Sequence, residues 1–281
     1  MNAKIGMNLF LWLTHFGEEH FHLLPTLKAV GFDGVEIPIS NYSDKELRAI
    51  RNALDSEGLA CTSVSLLTTE CNPIAEDASI RRSAVDKVRS DIEIAAGLGA
   101  EVIAGPLHSA HKQFFGRGPN EQEFERCVEF LKTVGADAQQ ANVQISVEPL
   151  NRFECYFLNT QQQGKALADA VDMDSVGILY DTHHVHLEEN DVAAALKGLG
   201  KRINHFHVSE SHRGTPGAGL VDWKTNFTTL KQMDYQGWIV IEAFATDVPD
   251  IPTAINIWRN CFNSKKEVYT QGFELISSHI S

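Results

Sequence analysis

Eight short runs rich in β-branched and apolar residues punctuate this chain, and longer amphipathic stretches separate them almost throughout. The runs lie at 4–9 (KIGMNL), 34–38 (GVEIP), 60–66 (ACTSVSL), 101–105 (EVIAG), 143–148 (VQISVE), 176–181 (VGILYD), 203–208 (INHFHV) and 238–243 (WIVIEA). Strands alternating with helices imply parallel pairing through right-handed crossovers. Residues 44–57 place Leu47, Ile50, Ala53 and Leu54 at helical spacing, and 80–97 and 121–141 repeat the pattern at greater length. The punctuation agrees. Asp44 suits the N-cap of the second helix, and Asn159 or Thr160 that of the fifth. Gly31, Gly58 and Gly99 each follow a helical stretch and precede a strand, as C-cap glycines do. Eight units without a glycine-rich dinucleotide fingerprint after the first strand favour a closed (β/α)8 barrel over an open doubly wound sheet. The 281 residues suit one such barrel. No linker or low-complexity tract interrupts them, so residues 1–281 are expected to form a single barrel domain. A helical extension at about 266–281 is expected to cover one end or a neighbouring subunit.

Charge and cysteine usage narrow the function class. The net charge is −13, from 24 basic and 37 acidic residues, which repels phosphate backbones and argues against a nucleic-acid partner. No apolar run is long enough to span a bilayer, and MNAKIGMNLFLWL lacks the basic start and cleavage site of a signal peptide. The five cysteines are scattered with no CxxC pair, so a reducing cytoplasm is expected.

Four strand ends break the apolar pattern. Glu148 (SVEPLN), Asp181 (ILYDTHH), His207 (HFHVSE) and Glu242 (VIEAF) each follow an apolar run, where an unpaired buried charge costs several kcal/mol. In a closed parallel barrel these ends meet at one face, where the active sites of such barrels sit. One glutamate at one strand end reads as readily as a loop anchor. Four independent strands ending this way point to a shared purpose. Three carboxylates and an imidazole brought together repel one another unless a divalent cation holds them. Three hard oxygen donors and one nitrogen suit Mn²⁺, Mg²⁺ or Co²⁺, with Mn²⁺ the first expectation and zinc left open.

The runs VEPLNRFECYFLNT (147–160), ILYDTHHVHLEE (178–189), HFHVSESHRGTPGAG (205–219) and VIEAF (240–244) resemble the D-tagatose 3-epimerase group. That group includes D-psicose (allulose) and L-ribulose 3-epimerases, within the xylose-isomerase-like TIM-barrel superfamily. The likeness is close in the back half. In the front half it rests on strand order and on GFDGVEIP (31–38). It implies one metal ion held by Glu148, Asp181, His207 and Glu242. It also implies sugar contacts from Glu154, His184 and Arg213, a small-molecule ketose as substrate, and a homodimer or homotetramer. The chemistry it implies is proton removal at C3 by one of Glu148 and Glu242, a cis-enediolate, and proton return by the other on the opposite face. Two bases on opposite faces are what inversion requires.

Several departures bear on the substrate. Ser209-Glu210-Ser211-His212-Arg213 replaces the group's usual GE-x-NR, His186 stands where many members have Asn, and GPLHSAHKQFFGRG (105–118) is unlike the usual fourth-strand loop. His108 and His111 on that loop read as pocket wall or as solvated loop residues. Glu36 reads equally as pocket contact or structural anchor. Trp12, Phe16 and Phe114 are candidates for an apolar sugar wall or for core. RGTPGAG reads as a turn sooner than a phosphate cradle, and Glu188 and Glu189 as a solvated first helical turn. Two alternatives stay open on the same constellation: an aldose–ketose or hydroxypyruvate-type isomerase, and an apurinic-site endonuclease. The latter lacks here its added Asp-x-His after the seventh strand.

Overall fold

A computed structural model describes residues 1–280; Ser281, the last residue of the expected C-terminal extension, lies outside the described residues. Eight parallel strands close into a barrel in sequence order: β1 (Lys4–Asn8), β2 (Gly34–Pro38), β3 (Ala60–Val64), β4 (Val102–Gly105), β5 (Gln144–Val147), β6 (Val176–Asp181), β7 (Ile203–Ser209) and β8 (Trp238–Glu242). Pairing of Lys4 with Trp238 through Met7 with Ile241 joins β1 to β8 and leaves no open edge. The helices are α1 (Leu23–Val30), α2 (Asp44–Glu57), α3 (Ala78–Leu98), α4 (Glu121–Ala141), α5 (Gln161–Val171), α6 (Thr182–Glu188), α7 (Val192–Leu199), α8 (Trp223–Gln232), α9 (Ile251–Ile255) and α10 (Lys265–Ile280).

The local signals act as their chemistry dictates, with corrections. Gly31, Gly58 and Gly99 end α1, α2 and α3 with φ of 119°, 61° and 74°, the left-handed region that a Cβ disfavours. Thr160 caps α5 by accepting from the Gln163 amide. At α2 the cap is Ser43, one residue before the expected Asp44, because Ser43 and Glu46 satisfy each other's backbone amides in a capping box. The C-terminal helix differs in role. α10, expected to cover one end or a neighbouring subunit, packs within the chain against α8, α1, β1 and β8 in the outer ring. Its Val268 and Ile276 are fully buried, and Phe273 meets Phe32 edge-on at 5.1 Å.

Alternation along the strands decides what faces the barrel axis. Val102, Ala104, Leu179, Trp238 and Val240 form a separate buried apolar cluster inside the barrel. Trp238 is so placed that a Cβ on Gly34 would lie 2.6 Å from its ring and 2.3 Å from the Ala60 carbonyl oxygen, so β2 must start on glycine. Two residues further along the same faces, the side chains turn polar. Val240 is followed by Glu242, Leu179 by Asp181 and Gly34 by Glu36, while β7 is already polar at His205 before His207. The barrel thus has an apolar plug below and a polar layer at its C-terminal mouth.

Candidate active site and cation cluster

Asp181, His207, Glu148 and Glu242 all lie in that polar layer. Asp181 ends β6 and caps α6, its Oδ1 accepting from the amides of His183 (2.7 Å) and His184 (3.1 Å). Its other oxygen, Oδ2, is buried without a hydrogen-bond partner, as is Nδ1 of His207. The two atoms are 3.7 Å apart, and Glu242 Oε1 lies 3.4 Å from the same nitrogen. Two buried, unpartnered atoms that can each offer a lone pair, converging on one point, are what a cation site needs and what a neutral core avoids. Two groups of ligand atoms lie within 4.8 Å of one another here: Asp181, His207 and Glu242, and Glu148, Asp181 and His184. Asp181 links them. The donors of this cluster therefore fit a hard divalent ion.

Glu36 lies directly behind His207, and of its two readings, pocket contact and structural anchor, its surroundings match the anchor. It is wholly buried, does not line the cavity, and is surrounded by four potential donors. Its Oε1 accepts from Asn8 Nδ2 at 2.8 Å and lies 2.8 Å from His207 Nε2; its Oε2 accepts from Thr62 Oγ1 at 2.9 Å and pairs with His205 Nε2 at 2.8 Å. Burial alone would raise its carboxyl, but the imidazoles of His207 and His205 outweigh that and hold it well below the usual carboxylate range. Glu36, His205 and His207 also bring ligand atoms within 4.8 Å of one another. The Glu36 carboxylate sits 2.8 Å from a ring nitrogen of each histidine, so this group braces the His207 ring from behind and leaves Nδ1 facing the cluster. Burial opposes a charge on His207, yet Glu36 and Glu242 raise it well above its ordinary value. A divalent ion would take the place of that extra proton.

For His108 both readings are corrected. It is wholly buried away from the cavity, with Nε2 3.0 Å from the Glu148 carbonyl oxygen and Nδ1 2.9 Å from Ser109 Oγ. Burial pushes its imidazole down to about 3, so it is neutral and braces the β5 end. His111 does line the cavity, 3.3 Å from Glu154 Oε2.

The cavity at the mouth encloses about 390 Å³. Its charged wall comprises Glu148, Glu154, Glu242, Arg213, Lys87 and Asp250. Asp181 and His207 are fully covered beneath it. Arg213 holds this wall together: one terminal nitrogen, Nη1, donates to Glu242 Oε2 (2.7 Å) and Ser209 Oγ (2.9 Å), and the other lies 3.0 Å from His184 Nε2. Glu154 accepts from Asn151 Nδ2 at 2.9 Å. Burial would raise its carboxyl, and His111, His184 and Arg213 pull it well below the usual range. For Glu242 burial wins, and its carboxyl is raised despite His207 and Arg213. The family profile described as xylose isomerase-like TIM barrel matches residues 24–269. The chain belongs to that family.

Within the xylose-isomerase-like barrels, the ketose epimerases are near relatives. A probable ketose 3-epimerase from Synechocystis sp. is 28% identical over 97% of this chain and 95% of its own length. A D-psicose 3-epimerase from Agrobacterium fabrum is 28% identical over 92% of this chain and 90% of its own. A solved L-ribulose 3-epimerase superposes with a TM-score of 0.93 at 26% identity, covering 99% of this chain and 94% of the other.

None of the three aromatic candidates, read as sugar wall or core, lines the cavity. Phe16 is core, Trp12 packs near Tyr269, and Phe114 is half exposed off the cavity. Phe10 and Phe244 supply the aromatic wall. Glu188 ends α6 with its carboxylate on Arg152, and Glu189 accepts from the Gln161 amide, so neither sits in a solvated first turn. Sequence reading passed over Glu210, Asn8 and Thr62. Glu210 is wholly buried and gathers the amides of Ser211, Gly217 and Val221 with the Trp223 indole, making RGTPGAG a braced loop.

Proposed function

We propose that this protein is a divalent-metal-dependent ketose 3-epimerase acting on free keto-sugars, with Glu148 and Glu242 as the two acid–base groups. The observation that carries the reading is a division of labour among the four strand-end groups. Glu148 just past β5 and Glu242 at the end of β8 open to the cavity, while Asp181 and His207 between them are covered. A ketose lying across the mouth therefore has a carboxylate approaching from each side. The names of the relatives supply the reaction class.

Glu148, Asp181, His207 and Glu242 would hold the ion, Mn²⁺ by preference and Mg²⁺ or Co²⁺ as substitutes. Bound there, a divalent cation would act as a Lewis acid on the sugar's carbonyl-side oxygens and acidify the neighbouring C–H. The protein's own part follows from its geometry. One glutamate takes the C3 proton, leaving a cis-enediolate of the sugar, and the other returns a proton to the opposite face. Arg213, Glu154 and His184 orient the carbonyl end, and Arg213 offers positive charge to the developing oxyanion. Phe10, Phe244, Ile251 and Ile255 line the cavity with apolar surface that limits water.

Incubating the protein with Mn²⁺ and a panel of ketoses in deuterated water tests this directly. A C3-epimeric ketose carrying deuterium at C3 is expected. An aldose product would replace the reading with an aldose–ketose isomerase, which the same cluster also permits. Two subsidiary proposals accompany it. The cysteines are unpaired, which supports a cytoplasmic enzyme, and no described helix is long and apolar enough to cross a membrane. Phe115, Phe153, Leu220 and Trp258 are exposed on loops at the mouth, which supports assembly as a homodimer or homotetramer; light scattering in solution checks it.

A further inference from the structure

The cavity has two unlike ends. The cation-ligating groups come from β5 to β8, and the opposite wall, after β1 to β4, is largely apolar: Phe10, Pro38, Ile39, Val64, Leu66 and Pro106. Its polar members are Thr14, Thr68, His111 and one charged assembly. Ser65, just past β3, lines the cavity together with Lys87, which reaches it from α3. Lys87 Nζ donates to both carboxylate oxygens of Asp91 at 2.6 Å and to Ser65 Oγ at 3.2 Å, and Ser65 Oγ donates to Asp91 Oδ2 at 2.7 Å. Asp91 is buried and does not line the cavity, while the Lys87 side chain is 36% exposed.

We infer that Lys87 and Ser65 form the distal subsite that selects the chain end of the substrate, and that Asp91 tunes this subsite for a neutral hydroxyl over a phosphate. The inference rests on the ketose reading of the cavity and deepens it. A sugar held at its carbonyl end between β5 and β8 must point its far carbons at the β1–β4 wall. There the hydroxyl of a six-carbon ketose meets the ammonium of Lys87, the one lysine among the described residues lining the cavity, and the free lone pair of Ser65. The long, polar third contact of Lys87, to Ser65 at 3.2 Å, is the one a ligand hydroxyl can share. A phosphate is disfavoured because Asp91 already neutralises the ammonium through both of its oxygens. The other cavity cation, Arg213, is engaged with Glu242 at the far end. Glu148, Glu154, Glu242 and Asp250 leave the cavity wall acidic.

The test uses D-psicose, its 6-deoxy analogue and its 6-phosphate, with kcat and KM measured for the Mn²⁺-loaded wild type, Lys87→Gln, Asp91→Asn and the double variant. Wild type is expected to favour D-psicose over the 6-deoxy sugar by about tenfold in kcat/KM, the scale of one hydrogen bond to a charged donor, and to use the phosphate worst. Lys87→Gln should bring the 6-hydroxyl preference towards unity. Asp91→Asn, which frees the ammonium, should lower KM for the 6-phosphate. The double variant, an uncharged pair of similar size, covers the case in which a single change unfolds the protein, and should lose the 6-hydroxyl preference as Lys87→Gln does. A helix-stabilising role for the Lys87–Asp91 pair would lower activity on all three sugars alike, and unchanged sugar ratios would overturn the inference while leaving the epimerase reading intact. Absence of turnover on every ketose by folded, metal-loaded wild type would overturn the epimerase reading and this inference with it.

Discussion

Replacing Glu36 with glutamine separates two roles that the sequence left equal. The side chain keeps its shape, so the change is electrostatic. In the structure all four neighbours of the carboxylate, Asn8, Thr62, His205 and His207, can donate to it. A glutamine keeps one acceptor oxygen and presents an NH2 group to the other pair. Asn8 is fixed as a donor because its Oδ1 accepts from the Phe10 amide, so the NH2 turns towards Thr62 and His205. Thr62 can rotate to accept. His205 must move its proton to Nδ1, which has no partner. One buried donor is thus orphaned, at about 1–3 kcal/mol of stability. The larger consequence falls on His207. It loses the negative charge that raises its basicity and fixes its ring, and loss of such a partner typically weakens a metal site by about 10–100-fold. Glu36→Gln should therefore show a rightward shift of that size in a Mn²⁺ titration of activity, with the sugar KM at saturating Mn²⁺ near wild type. Metal affinity within about twofold of wild type in a folded variant, with a raised sugar KM, would refute the bracing role and restore Glu36 as a substrate contact.

Other perturbations have equally definite outcomes. Glu148→Gln and Glu242→Gln should each lower kcat by at least about 10²–10⁴, the usual contribution of one acid–base group; C3 deuterium exchange at wild-type rate in both would remove the two-base scheme. Exhaustive chelation should abolish turnover, and Mn²⁺ or Co²⁺ should restore it; full activity with no metal detected by elemental analysis would contradict the cluster's assignment. His108 should make folding acid-sensitive. Burial holds its folded value at about 3 against an ordinary 6.5. Between those values the unfolded chain binds the proton and the folded one does not. The contribution is complete above pH 6.5 and falls as the pH drops, by about 2 kcal/mol at pH 5. Urea unfolding of wild type and His108→Gln at pH 7.5 and 5 checks the difference, which should be smaller in the variant.

Much of this architecture is written in local chemistry. The eight runs became eight strands because their period and glycine stops need no distant information: β2 and β6 coincide with GVEIP and VGILYD to the residue. Asp181 and Glu242 were legible because period-2 alternation places them two residues beyond the inward-facing Leu179 and Val240, and Glu148 because it closes the run VQISV. What the sequence hides is depth. Glu36 lies in the middle of β2 and Glu242 at the end of β8, both facing inward, yet only Glu242 reaches the cavity; the imidazoles of His205 and His207 enclose Glu36. His108 and His111 are three residues apart on one loop, and its path buries the first and opens the second. Lys87 stands four residues before Asp91 and reads as an ordinary helix-surface ion pair; only the packing of α3 against β3 shows that it faces the cavity. These assignments depend on three-dimensional neighbours that no spacing encodes.

Arg213 shows how the site is bought with backbone strain. Its φ is 62°, in the left-handed region that disfavours any residue with a Cβ. The turn is held by its own amide donating to the Glu210 carbonyl at 2.8 Å and by its guanidinium on Glu242, Ser209 and the face of Phe244. Ordinarily alanine is more stable than glycine in a chain, by about 0.4–1 kcal/mol through the unfolded state. At a left-handed position the order should invert, because alanine keeps a strain of about 1–2 kcal/mol that glycine sheds. Both Arg213→Ala and Arg213→Gly remove the cation that sits between Glu242 and Asp181, so both should be less stable than wild type and poor catalysts. Between the two, Arg213→Gly should be the more stable by roughly 1 kcal/mol, measured as a difference in urea midpoint at constant slope. If Arg213→Ala proves the more stable, the backbone at 213 is relaxed, and the arginine's position owes nothing to strain imposed by the loop around Glu210.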